Sequence, residues 1–229
     1  MTLPFAPHSC RIPAAFLLRF FLLLALACHG AAAHALPSVE LKVKGTVRPS
    51  ACTPSLSSDG VLDYGVIAIA SLNPMHPTVL PIRDITLTVD CREPASIALA
   101  VVDNRAMSRV FGLFDDSVAS IGSTFGLGMA AGYKLGGYRI SFDASATADG
   151  QPVSSIMSSN KGLSWRSNVG YLRHTGHYFG FSQDGATLST QKVLNAPLRI
   201  QAVLNSGPDF PRGEELQLDG SATIELKYL

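Results

Sequence analysis

The chain has 229 residues, 47% of them hydrophobic and only 15% charged, with 20 glycines, 14 prolines and a formal net charge of +1. That length supports one well-packed domain, or at most two small ones. With no basic stripe or polybasic tail, the near-neutral balance argues against nucleic acid or an anionic membrane as the main partner.

Residues 1–35 read as a targeting segment. Arg11 supplies positive charge, Phe16 to Cys28 is apolar apart from Arg19, and Ala31-Ala32-Ala33-His34-Ala35 presents an Ala-x-Ala signal. Cleavage is expected after Ala35, with Ala33 as second choice. A membrane-spanning helix needs about 20 apolar residues, and the run from Phe20 to Cys28 is too short. Lipid modification at Cys28 is disfavoured, because Ala25-Leu26-Ala27 matches a leucine-led lipoprotein box poorly. Processing leaves 16 basic against 17 acidic residues, and two cysteines, Cys52 and Cys91. The expected organisation is a signal peptide, 1–35, followed by a single domain, 36–229.

The elements that follow are strands. Val39, Leu41, Val43 and Val47 share one parity, with Glu40, Lys42 and Lys44 on the other. Cys52 comes next; in an exported chain two cysteines read as one disulfide, because the compartment is oxidising. Closing the 39-residue separation to Cys91 stabilises the fold by roughly 4 kcal/mol in the chain-entropy model. Ser71 to Pro81 holds Pro74, Pro77 and Pro81, so it is a loop or an edge.

Ile85, Leu87, Val89 and Cys91 then alternate with Thr86, Thr88 and Asp90, and Ile97, Leu99 and Val101 form a further apolar strand. Gly112 to Gly185 contains 13 of the 20 glycines and reads as a loop-rich elaboration carrying at least one strand, Tyr138, Ile140 and Phe142. Leu198, Ile200, Ala202 and Leu204 make another apolar face, and Ala222, Ile224, Leu226 and Tyr228 finish the chain. Period-two alternation places one set in a core and the other in water, and many short strands between turns predict an all-β sandwich. A second domain starting near Gly150-Gln151-Pro152 would lack any linker-like composition.

Catalytic and ligand motifs fare poorly. Gly126-Leu127-Gly128 with Gly132 lacks the glycine spacing and βαβ context of a dinucleotide loop. His174 and His177 are three apart, which on a strand sends them to opposite faces, and no acidic third ligand is near. Asp115 and Asp116 are adjacent and do not converge as an acid/base pair, and no Gly-x-Ser-x-Gly elbow is present. Trp165 suits a core anchor better than a sugar-stacking ring. No enzyme activity, cofactor or metal is expected.

Several stretches resemble chaperone-usher pilins. Val43-Lys44-Gly45-Thr46-Val47 through Cys52 is similar to their first core strand, and Leu62-Asp63-Tyr64-Gly65-Val66-Ile67 to a short aromatic-glycine segment. Ile85 to Cys91 is similar to the strand carrying the second disulfide cysteine, and Leu218 to Leu229, with penultimate Tyr228, resembles the last strand. The runs Glu40 to Arg105 and Leu218 to Leu229 most resemble GltF-like fimbrial-related proteins of unknown function.

The resemblance implies an immunoglobulin-like, pilin-type sandwich missing its last strand, with a Gly-rich insertion. It implies a chaperone or donor-strand interface at Ala222, Ile224, Leu226, Tyr228 and Leu229, and a donor strand at Val39, Leu41 and Val43. The implied partners are a periplasmic pilin chaperone, an usher and other pilus subunits, with transit through the periplasm to the cell surface. Only nine residues, Leu36 to Lys44, precede Gly45 after cleavage, shorter than the usual pilin donor extension. A fimbrial subunit or minor pilin active in cell adhesion is therefore the leading reading. A self-complemented periplasmic protein comes second, and a module binding a host receptor or glycan through the Gly112–Gly185 region and Trp165 third.

Overall fold

The computed structural model describes residues 39–46, 51–114, 118–168, 170–206, 210 and 215–229. The signal segment with its cleavage sites, Val47, and the Asp115–Asp116 pair lie outside the described residues. The chain divides into two units, Met1–Val47 and Arg48–Leu229.

The second unit is an antiparallel all-β sandwich. In chain order its strands are β1 (Cys52–Leu56), β2 (Thr78–Val79), β3 (Arg83–Asp103), β4 (Phe125–Gly126), β5 (Met129–Ala130), β6 (Tyr133–Lys134) and β7 (Gly136–Phe142). They continue as β8 (Thr147–Ala148), β9 (Gln151–Pro152), β10 (Ser154–Ser158), β11 (Arg166–Ser167), β12 (Tyr178–Ser182), β13 (Thr190–Leu204) and β14 (Ala222–Tyr228).

The organising element is β3, a single strand of 21 residues where the alternation predicts two. Its first half pairs with β1 and β13, and β7 follows β13. Its second half pairs with β14 and β12, and β10 and β11 follow β12. One strand thus serves both sheets. The change of sheet falls around exposed Pro94, which has no N–H to give to a ladder, and the facing strand β13 shifts register there, between Gln191 and Val193.

Parity holds on both sides of that bend. Ile85, Leu87, Val89 and Cys91, then Ile97, Leu99 and Val101, are all buried. They meet Phe125, Phe179, Phe181, Leu194 and Leu198 in one core. Burial of each such side chain contributes about 1.5–3 kcal/mol. Phe142 packs edge-on against Phe181 at 4.9 Å, which ties β7 to β12 across the core.

The glycine-rich region is loop-rich, as expected, and the strands it carries are β4 through β12, most of them only two residues long. Gly126 is required by close approach to backbone. A side chain at Gly126 would collide with the Arg105 carbonyl and the Ser108 hydroxyl. One at Gly180 would meet Leu188 and the Trp165 ring, so Trp165 is a packing anchor over β12. Ser71 to Pro81 is irregular apart from the two residues of β2, and it buries Leu72 and Leu80.

In the first unit, residues 39–46 take up no regular secondary structure, although their alternation predicts a strand. Val39, Leu41 and Val43 are 96%, 88% and 90% exposed. Alternation states which face of a strand is apolar, and a strand exists only where a partner accepts its backbone hydrogen bonds.

Candidate functional site

Cys52 and Cys91 are bridged, and they face each other in the β1–β3 register with Cα atoms 3.9 Å apart. Cys91 is fully buried. A disulfide of this kind belongs to oxidising compartments, in agreement with export. No described helix is long and apolar enough to cross a membrane.

The bridge fixes β1 at the head of an edge. β1 and β14 follow one another along the same edge of β3, with β13 and then β12 along the other. The Cys52 N–H donates to the Tyr228 hydroxyl at 2.9 Å, which joins the two short strands end to end. Among the described residues β14 pairs with β3 alone, so its far edge carries unused backbone donors and acceptors.

Among the described residues the sandwich is open beside that edge. An apolar cleft of about 720 Å³ is floored by Ile85, Ile140, Leu198 and Ile200 and walled by Leu56, Leu62, Ile67, Leu216, Leu218, Ala222 and Ile224. The floor residues are buried, whereas the wall residues are only partly buried against the core. Among the described residues the core is therefore complete below and unfinished above. One wall is anchored by an ion pair: Arg105 Nε lies 2.8 Å from Asp219 Oδ2, and its Nη2 donates to Oδ1 at 2.9 Å. The guanidinium holds the Asp219 carboxyl below its ordinary range. On the other wall, Asp63 Oδ1 accepts the Gly65 N–H at 2.7 Å, a turn that presents Tyr64 and Ile67 to the core.

The predicted interface residues are distributed unevenly about this cleft. Ala222, Ile224 and Leu226 pack against the core, and Ala222 and Ile224 also line the cleft. Tyr228 and Leu229 are about half exposed, at 51% and 53%. Tyr228 reaches back to Cys52 through its hydroxyl, and the Leu229 side chain rests on Gly162. Lys227 is half-buried and pairs with Glu225 at 2.8 Å. Sequence reading missed the walls built by Leu62, Ile67, Leu216 and Leu218. A signal existed: Leu216 and Leu218 continue the parity of Ala222, Ile224 and Leu226 upstream of the strand.

The two histidines separate. His174 Nε2 lies 3.1 Å from Arg109 Nη1, and His177 Nδ1 lies 3.1 Å from the Thr175 hydroxyl. Burial, then the Arg109 charge, lowers the His174 pKa. Arg109 in turn lies 3.4 Å from Asp103, whose buried carboxylate accepts the Arg105 and Gly126 N–H groups. This cluster staples the turn after β3 to the loop around β4. Among the described residues no group of three or more His, Cys, Asp or Glu converges as a metal site would require.

Residues 41–157 match the family described as "Protein of unknown function (DUF1120)". The chain belongs to this family. The DUF1120 match spans both cysteines, β1, β3 and β7, whereas β13 and β14 lie beyond it. Two relatives come from Escherichia coli (strain K12). "Protein GltF" is 30% identical over 240 residues, covering 90% of this chain and 94% of the relative. "Uncharacterized protein YhcF" is 27% identical over 222 residues, covering 86% and 93%. Neither name carries an activity.

Proposed function

We propose that this protein is a pilus-type structural subunit or minor pilin, joined to its neighbours by β-strand addition. The observation that carries the reading is the unfinished apolar cleft beside the free edge of β14. An added strand satisfies both deficits at once, its backbone pairing along the edge and its alternate side chains filling the cleft. Val39, Leu41 and Val43, spaced at two and exposed to water, are suited to be the strand that one copy offers to the next. A periplasmic chaperone strand occupies the cleft first and prevents premature pairing; the usher then exchanges it for the neighbour's. The role that follows is display at the cell surface and adhesion.

Expression in the periplasm with and without a pilin chaperone tests this. The expected result is a chaperone-bound monomer in one case and aggregation or loss of the chain in the other. Deleting residues 36–43 should then abolish polymerisation and leave the chaperone-bound monomer folded. A stable monomer made without chaperone, which collapses on that deletion, identifies a self-complemented sandwich and overturns the proposal.

A further inference from the structure

A second cleft, of about 480 Å³, lies between the end of β7 and the β10–β11 pair, and its chemistry is the opposite of the first. Its lining includes Ser141, Ser154, Ser167, Asn168, Asp143 and Tyr171, together with Phe142, whose ring packs on Phe181. Among the described residues, the three serine hydroxyls and the Asn168 side chain make no hydrogen bond to protein. Together they supply both donors and acceptors on a concave surface.

The ring is held in place before any ligand arrives. Tyr171 bridges to Ser141 through its backbone, and the next N–H, of Leu172, donates to the Ile140 carbonyl at 2.7 Å. The Arg139 guanidinium lies 4.8 Å from the Tyr171 ring centroid and 4.1 Å from that of Phe114. Arg139 is itself buried, at 7% exposure, so the stack is fixed at its root. Arg139 and Ser141 share one face of β7, the side on which the Tyr171 platform lies, and Asp143 follows one residue past the end of the strand.

We propose that this cleft binds a neutral pyranose ring of a glycan. The apolar C–H face of such a ring stacks on Tyr171, and its hydroxyls bond to the serines and Asn168 and donate to Asp143. Hydrogen bonds from the Ser145 hydroxyl and N–H hold the Asp143 carboxyl below its ordinary range. A fixed negative charge at that point repels acidic sugars and accepts from neutral ones. The site lies away from the β14 edge and does not depend on strand addition.

Saturation-transfer NMR on the exported chain, with methyl glycosides of glucose, mannose, galactose and N-acetylglucosamine and with sialic acid, tests the proposal. The expected result is transfer to at least one neutral glycoside, weighted to the protons of one ring face, and none to sialic acid. Tyr171→Ala should weaken binding about tenfold, Asn168→Ala should weaken it too, and Tyr171→Phe should retain it. Circular dichroism confirms that each variant is folded, and Asn168→Ala, which removes no described contact, carries the test if Tyr171→Ala is not. No transfer to any neutral glycoside, a preference for sialic acid, or equal binding by the folded variants and the parent chain overturns the site.

Discussion

The two clefts set equal backbones to different uses. The apolar one, about 720 Å³, exists because a strand edge and a core were left incomplete together. The polar one, about 480 Å³, opens on the outer face of β7, where the glycine-rich region supplies a second wall above a finished core. Filling the first removes apolar surface from water and completes a hydrogen-bond ladder, a gain that adds to fold stability. Filling the second exchanges water for sugar hydroxyls, a gain that is small per bond and selective in geometry. On the proposed reading the first is therefore coupled to folding and assembly, and the second is not.

That difference makes separable predictions. The largest effect is expected at the head of the open edge: Cys52→Ala or Cys91→Ala should cost roughly 4 kcal/mol in denaturant unfolding and lower periplasmic yield. Peptide mapping without reductant should recover the Cys52–Cys91 pair, and two free thiols in exported material would falsify it. Next, Leu226→Asp places a charge against the core and should cost about 3 kcal/mol or abolish chaperone capture. By contrast, Leu41→Asp should leave the monomer's unfolding curve unchanged and eliminate polymers seen by electron microscopy. If both charged variants polymerised normally, the apolar cleft would not be an assembly site.

A smaller effect concerns pH. Because burial and Arg109 lower the folded pKa of His174, the unfolded chain takes up its proton first. Stability from this group is whole above about pH 6.5 and declines as pH falls toward the folded value. Urea midpoints at about pH 7.5 and about pH 5 should differ less in His174→Gln than in the parent chain. Asp184 and Asp219, lowered by the hydroxyl of Ser182 and the guanidinium of Arg105, weaken the fold only at still lower pH, below the ordinary carboxylate value of 3.8. Least of all, Lys227→Ala breaks the Glu225 pair and should change stability by no more than about 0.5 kcal/mol.

The alternation of Ile85 to Cys91, Tyr138 to Phe142, Leu198 to Leu204 and Ala222 to Leu226 was enough to read the all-β class and the inward face of each strand, because side-chain period is a local property of an extended chain. The disulfide was legible for a similar reason: two cysteines remain after export, and an oxidising compartment pairs them. Only tertiary structure decided that β3 runs unbroken through Pro94 into a second sheet, since the bend depends on which strands lie alongside. It also decided that Val39, Leu41 and Val43, whose pattern is as regular as that of the core strands, form no strand in the described chain. The clefts were the least legible features, because Leu62 comes to line one cleft with Ile224, and Ser141 another with Asn168, only after strands distant in sequence have paired. Alternation records which side of a strand avoids water; the partner that satisfies its backbone is chosen by the fold.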